Sequence, residues 1–279
     1  MTAECIFCGA TPTTNEHIIP QWLGEYVLST KPEATKPDHV VKSIHRRVGS
    51  GHGTDSSNEW LSDGITDFRV NCVCRDCNGG WMSGIEVDAK TILLRLIKDQ
   101  AGALNIEEQR AVARWLALKA VLAKYAKPLL DQDKGWATQF YAERRPPRTW
   151  QIRLGRAVLN AGNPIFFATT PYDAYFHSGL ADREIAVGGF SFVIAVGSFA
   201  GQVLGSRQDA AIPLNRNYFT QIWPHPLLRQ GFSPPDLSAV WPPEANLNEE
   251  FLYQCAQKPD VPSQSHSPAQ SLSVRRLTS

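Results

Sequence analysis

The chain has 279 residues and a formal net charge of +1, with 43% hydrophobic and 20% charged residues. This composition is typical of a folded globular protein that is long enough to bury a core in one or two domains. A net charge this close to zero excludes a polyanion-binding surface over the whole protein. Any contact with nucleic acid therefore has to come from a local patch.

The sequence predicts a cytoplasmic protein that has no membrane partner. No stretch reaches the roughly 20 apolar residues that a membrane-spanning helix needs, and the first residues lack the basic-then-apolar pattern of a signal peptide. Thiols stay reduced in the cytoplasm, which favours metal binding over disulfides for paired cysteines. Of the six cysteines, four form two Cys-x-x-Cys pairs, and Cys72 and Cys255 are expected in the core.

The first third of the chain predicts a small mixed unit. A tight turn at 5–9 is followed by a polar loop at 11–15 and a short helix over 21–28. Residues 31–66 are rich in Gly, Ser and Lys-Pro pairs, and they predict a long loop with one possible strand at 39–48. This segment has the character of an insertion between two ordered parts.

A strand and two helices are predicted next. Residues 67–73 alternate in polarity, which favours a strand. Helical spacing begins after Ser83, and Glu86 three residues later completes a capping-box pattern. A second helix is predicted over 106–125, again with a capping pair just ahead of an apolar face; this pair is Asn105 and Glu108.

The second half of the chain predicts an α+β module with short strands. Alternating segments occur at 150–154, 165–168, 190–195 and 202–204. The last two form a predicted hairpin, with its turn within 197–201. From 257 onward Pro, Ser and Gln dominate, which predicts a disordered tail.

The two Cys-x-x-Cys pairs predict a structural zinc site. Cys5 and Cys8 form one pair, and Cys74 and Cys77 form the other. Two residues between the cysteines allow both sulfurs of a pair to reach one ion, and four thiolates complete its tetrahedron without an open catalytic position. The alternatives are unrelated buried cysteines or a redox dithiol. A redox dithiol is expected next to a βαβ pattern, which is absent here.

Three further residues have the chemistry that phosphodiester hydrolysis requires. His17 can act as a base, since its ordinary pKa lies near neutrality. Glu16 and Asn78 offer oxygen ligands of the kind that Mg²⁺ or Mn²⁺ prefers. On an extended segment, Glu16 and His17 are expected to face opposite ways. The alternative is that Glu16 and His17 form a structural hydrogen-bonded pair and that Asn78 is a turn residue.

Together these motifs resemble the HNH endonuclease superfamily. In its zinc-stabilised members, a Cys-x-x-Cys pair precedes an acidic-His-Ile/Val-x-Pro segment, and a second pair is followed directly by Asn or His. Residues 5–8, 16–20 and 74–78 match that order. The segment 80–82, Gly-Trp-Met, together with Glu86, is similar to a form found in bacterial and phage members.

The resemblance covers roughly the first 90 residues and implies a metal-dependent endonuclease that hydrolyses DNA. It implies a ββα fold around a catalytic Mg²⁺ or Mn²⁺, with His17 as the general base and Glu16 and Asn78 as metal ligands. The middle asparagine of the family pattern has no match at the proper spacing. The nearest residue, Asn71, is assigned only to fixing the loop.

Basic residues near these motifs are candidates for binding the substrate backbone. They are Lys42, Arg46, Arg47 and Arg75. Their alternative role is that of an ordinary solvated surface. A monomer suffices to nick one strand, whereas a double-strand cut favours a homodimer.

The predicted fold class is therefore α+β. The nuclease core occupies 1–100 with an insertion at 31–66, a helical and then α+β module occupies 101–256, and the tail occupies 257–279. Two other functions remain open at this point. One is a non-catalytic zinc knuckle that binds nucleic acid or protein; the other is a regulatory protein whose main function lies in residues 130–256.

Overall fold

A computed structural model describes more than half of the chain. The residues described are 4–11, 13–30, 43–44, 69–100, 102–125, 134–159, 165–178, 183–206, 218–223, 239–241, 246–248 and 252. They mix helices and strands, so the predicted α+β class is confirmed. Lys42, Arg46, Arg47, Cys255 and the predicted tail lie outside the described residues, as does nearly all of the predicted insertion.

The helices and strands are numbered in chain order. The helices are α1 (Gln21–Thr30), α2 (Arg75–Cys77), α3 (Ser83–Ile97), α4 (Ile106–Tyr125) and α5 (Lys134–Glu143). The strands are β1 (Thr13–His17), β2 (Ser43–Ile44), β3 (Arg69–Cys74), β4 (Gly102–Leu104), β5 (Gln151–Val158), β6 (Ile165–Ser178), β7 (Arg183–Val196), β8 (Phe199–Ser206), β9 (Phe219–Trp223), β10 (Ala239–Trp241) and β11 (Asn246–Asn248).

The N-terminal unit is a two-stranded antiparallel ladder followed by helix. β1 pairs with β3 although more than fifty residues separate them in sequence. Ile6 N–H donates to the Cys72 carbonyl at 2.9 Å, which joins the first cysteine turn to β3. β3 leads directly into α2, so the second cysteine pair lies where strand becomes helix.

The helix after the second cysteine pair begins earlier than the sequence predicts. A π-helical turn, Asn78–Met82, joins α2 to α3, and Ser83 already has helical dihedral angles. The predicted capping box at Ser83 and Glu86 is therefore wrong. The backbone is kinked at Gly80, and Ser83, which follows the kink, already donates its N–H to the carbonyls of Asn78 and Gly80. This frees the Glu86 carboxylate for an ion pair with a residue of α4.

α4 is confirmed together with its predicted cap. The Asn105 Oδ1 accepts from the N–H groups of Glu107 and Glu108 at 3.0 Å, and Glu108 returns a bond to the Asn105 N–H. From Gln109 to Lys124, all of its residues except Arg110 and Arg114 are buried. Among the described residues, no helix combines the length and apolar character that crossing a bilayer requires.

The second half forms a seven-stranded mixed sheet. Its order is β11-β5-β8-β7-β6-β2, and β9 also pairs with β5. The predicted hairpin joins β7 and β8, with Val196 opposite Phe199 and a turn at Gly197, where φ is +56°. β6 and β7 each run for 14 residues, well beyond the short strands that the sequence predicts.

One hydrophobic cluster runs from the first cysteine turn through α4 to the large sheet. Leu116 of α4 packs against Gly201 of β8, where a side chain on the glycine would collide with the leucine. The Ser198 N–H donates to the Ile97 carbonyl at the end of α3, and Arg156 forms an ion pair with Asp99. These contacts fix the N-terminal unit to the sheet.

Candidate metal centre and adjoining pocket

The two cysteine pairs come together in one cluster. The sulfurs of Cys5, Cys8, Cys74 and Cys77 all lie within 4.8 Å of one another, and none of these cysteines forms a disulfide. Four thiolates bonded tetrahedrally to Zn²⁺ at about 2.3 Å would lie about 3.8 Å apart, so the cluster fits this ion. The predicted convergence of the two pairs is confirmed.

Backbone amides surround the sulfurs, as a site that holds anionic thiolates requires. Burial acts to raise the pKa of Cys5, but hydrogen bonds from the backbone of Cys8, Cys74 and Phe7 outweigh it and lower this pKa to about 7. The Cys77 N–H points to the Cys74 sulfur at 3.5 Å. The bonds to Cys5 stabilise negative charge on its sulfur, whereas burial raises the pKa of Cys77, so a bound metal would have to displace the proton of Cys77.

Cys72 belongs to the core and not to the cluster. It is buried, and burial raises the pKa of its thiol to about 12. The sulfurs that lie within 4.8 Å of one another are those of Cys5, Cys8, Cys74 and Cys77, and Cys72 is not among them. The structure thus separates Cys72 from the adjacent ligand candidate Cys74, as the spacing predicts.

Next to the cysteine cluster lies a pocket of about 470 Å³. The end of β1, the start of α1, the π-helical turn and α3 form its walls. Glu16, His17 and Asn78 all line it, together with Glu86 and Glu25. The three residues predicted to carry chemistry are therefore brought to one cavity, although 61 positions of sequence separate His17 from Asn78.

Glu16 is a buried carboxylate in contact with several polar groups. Burial raises its pKa above the ordinary value; the positive charge of Lys119 opposes this, the negative charge of Glu86 adds to it, and a hydrogen bond from Asn78 lowers it. Glu16 and Asn78 are thus direct neighbours. Two adjacent oxygen-bearing side chains meet the first requirement for sharing a cation.

His17 ends β1 and is half buried at the wall of the pocket. Glu16 and His17 were expected to face opposite ways on an extended strand. The strand ends at His17, however, and both residues line the same cavity. Asn78 occupies the first position of the π-helical turn, directly after Cys77. Its amide also donates to the Thr14 hydroxyl at 3.4 Å, so the amide is held against β1.

A bulge in β3 sets the register around the pocket. Thr14 is opposite Val73, whereas Glu16 is opposite Val70, so β3 carries one extra residue at this point. Asn71 lies in the bulge and accepts a hydrogen bond from Thr13. Bulges redirect the side chains beside them. Asn71 therefore fixes the strand pair next to Glu16, which is close to its predicted role.

Sequence reasoning missed Lys119, which is fully buried in the middle of α4. Its ammonium lies 2.5 Å from Glu86 and 3.8 Å from Glu16, and it donates to the His17 carbonyl at 3.1 Å. A signal for it was available. Lys119 falls at helical spacing on the same face as Leu116 and Ala123, which the apolar pattern assigns to the core.

Of the four predicted substrate-binding residues, only Arg75 is described. It is exposed at the start of α2, between the zinc-ligand candidates Cys74 and Cys77, and it is not part of the pocket wall. Among the described residues, no second group of three His, Cys, Asp or Glu side chains is as close together as the cysteine cluster. Glu16 and Asn78 would thus share a cation with water molecules.

No known protein family, curated protein or solved structure matches this chain. The resemblance to HNH endonucleases therefore depends on the motifs alone. The pocket and the cysteine cluster carry the geometry from which a function can be inferred.

Proposed function

We propose that the protein is a metal-dependent HNH endonuclease that hydrolyses phosphodiester bonds in DNA. The observation that carries the proposal is the convergence of Glu16, His17 and Asn78 on one pocket beside a four-cysteine cluster. The antiparallel strand pair β1–β3 followed by helix supports the proposal, since the resemblance implies two strands and a helix around the metal. The cysteine cluster, with zinc bound, would hold the two halves of the site together.

The charge of the pocket supports the need for a divalent cation. Glu16, Glu25 and Glu86 contribute three negative charges at or near its wall, and Lys119 contributes one positive charge. A pocket that carries this excess of carboxylate repels a phosphodiester. A cation on the oxygens of Glu16 and Asn78 would reverse the local charge and stabilise the charge that develops on the phosphate.

The remaining steps of hydrolysis are assigned to residues of the chain. His17 takes a proton from a water molecule, and the resulting hydroxide attacks the phosphorus. The bond from phosphorus to the leaving oxygen breaks, and that oxygen takes up a proton from solvent. Asn78 keeps its position because it directly follows Cys77 of the cysteine cluster, and the buried Glu16 keeps its position because it lies in β1.

A plasmid-nicking assay tests the proposal. Zinc-loaded protein is incubated with supercoiled DNA, with Mg²⁺, with Mn²⁺ or without a divalent cation, and loss of the supercoiled form is measured. We expect cation-dependent nicking, and we expect His17→Ala to reduce its rate about 10²–10⁴-fold, since that is the usual contribution of a general base.

A matched control is Glu107→Gln, an exposed position in the first turn of α4 that does not border the pocket. It should nick DNA at the wild-type rate. If the wild type leaves DNA intact with either cation but retains zinc and shifts DNA in a gel, the proposal fails. The protein would then be a zinc-knuckle binding module.

A further inference from the structure

We propose that the ion pair between the buried Lys119 and the partly exposed Glu86 is a positioning device for the catalytic cation site, so that α4 takes part in building that site. The inference rests on the proposed function, since it concerns the same pocket. It adds two residues whose side chains act through Glu16 and His17 and need not touch substrate.

The three contacts of Lys119 explain how the pair can act. Glu86, at 2.5 Å, is the closest partner of the ammonium, and this contact joins α4 to α3. The bond to the His17 carbonyl, at 3.1 Å, fixes the backbone at the end of β1. Lys119 therefore holds the peptide from which the proposed base projects.

Glu16 is the third partner, and its distance matters. The ammonium lies 3.8 Å from the Glu16 carboxylate, which is close enough to orient it but longer than a hydrogen bond. Glu86 neutralises most of the lysine charge at 2.5 Å. The Glu16 carboxylate is thus oriented by Lys119 while its oxygens stay available to a cation.

Burial argues that the arrangement has a specific role. Lys119 is fully buried, whereas Glu86 is 22% exposed at the wall of the pocket. Burying a charge is weak evidence for stability, because the cost of desolvation offsets the attraction of the partner, and an apolar side chain at position 119 would serve the core equally well. The position of the pair directly behind Glu16 and His17 supplies a reason for charge at this place.

Binding of Mn²⁺ to zinc-loaded protein, followed by electron paramagnetic resonance of free Mn²⁺, tests the inference. For Lys119→Met, an effect of charge alone and an effect of positioning predict opposite changes in Mn²⁺ affinity. Removing a positive charge next to a cation site should strengthen Mn²⁺ binding by Coulomb attraction. If Lys119 positions the site, the same variant should weaken binding by about 10–100-fold, the usual effect of losing a residue that orients a metal ligand.

A double variant keeps the test decisive if Lys119→Met folds poorly. Lys119→Met combined with Glu86→Gln removes both charges and leaves the net charge unchanged, so weaker Mn²⁺ binding there reports positioning. Lys124→Met is the control, since Lys124 is another buried lysine of α4 but lies over the Trp136 ring.

Unchanged or tighter Mn²⁺ binding in the folded variants, or a wild type that binds no Mn²⁺, would overturn the inference. Failure of the nuclease proposal is distinguishable from this. A wild type that binds Mn²⁺ but leaves DNA intact refutes the nuclease alone, and the order of the Mn²⁺ affinities still decides the role of Lys119 and Glu86.

Discussion

At the scale of single residues, Glu16 is placed where its burial costs folding stability. Its carboxylate is buried at the wall of a pocket, and burial raises its pKa even though Lys119 attracts the ionised form. A soluble protein gains little by burying a carboxylate in this way. The position is therefore better explained by a task, such as binding a cation, than by folding.

Glu16→Gln should consequently stabilise the cation-free protein while abolishing cation-dependent activity. Because the folded pKa is raised, the stability linked to this group is full below the unfolded pKa and falls as pH rises through the folded value. At pH 8 we expect a gain of about 0.5–2 kcal/mol in the free energy of unfolding, typical of relieving a strained functional site. At pH 5 the gain should be smaller.

Urea denaturation of zinc-loaded wild type and variant at both pH values, without Mg²⁺, measures this difference. A variant that is less stable than the wild type at pH 8 would show that attraction between Glu16 and Lys119 outweighs the cost of burial.

At the scale of secondary structure, local signals predicted the elements well where the residues act locally. The cap of α4 depends on Asn105 and Glu108, which interact within one turn, and the sequence identifies it correctly. The cap at Ser83 has the same pattern and is wrong. There Ser83 already has helical dihedral angles, because the helical turn begins before it, after a kink at Gly80. Glu86 forms an ion pair with Lys119, which lies 33 positions further along the chain.

In the candidate site, too, the residues that belong to local motifs were predicted, whereas the residue that acts through distant contacts was not. The cysteine spacing and the order of the motifs predict that Glu16, His17 and Asn78 come together, since both cysteine pairs need the same ion. Lys119 could not be assigned to the site, because helical spacing places it in the core without naming its partners. The full length of β6 also depends on pairing with β7 along 14 residues, which local alternation does not reveal.

At the scale of the whole molecule, the zinc-ligand cluster and the sheet share one hydrophobic core. The buried cluster contains Cys5, Cys74 and Cys77, most of α4 and inner residues of β5 to β9, whereas Cys8 is exposed. Trp81 contacts Phe7, which lies between Cys5 and Cys8, and it also contacts Phe140 of α5. The region around the cysteines therefore packs against a later helix as well. Loss of zinc should therefore lower the stability of the sheet as well as that of the N-terminal unit.

Chelation of zinc should lower the melting temperature of the whole protein in one calorimetric transition. We expect a shift of about 10 °C, which corresponds to a loss of about 3–4 kcal/mol in a chain of this size. Cys8→Ser should produce the same shift, whereas Cys72→Ala should keep one bound zinc per chain. Two separate transitions, with only the first sensitive to chelator, would contradict a shared core.

The central claim is that the pocket beside the cysteine cluster binds a catalytic cation. Anomalous diffraction from crystals of the zinc-loaded protein soaked in Mn²⁺ tests it most directly. We predict a zinc peak among Cys5, Cys8, Cys74 and Cys77, and a separate manganese peak in contact with Glu16 and Asn78 on the side of the pocket that His17 lines. A zinc peak with no manganese in the pocket would contradict the claim and would leave the cysteine cluster as a purely structural clamp.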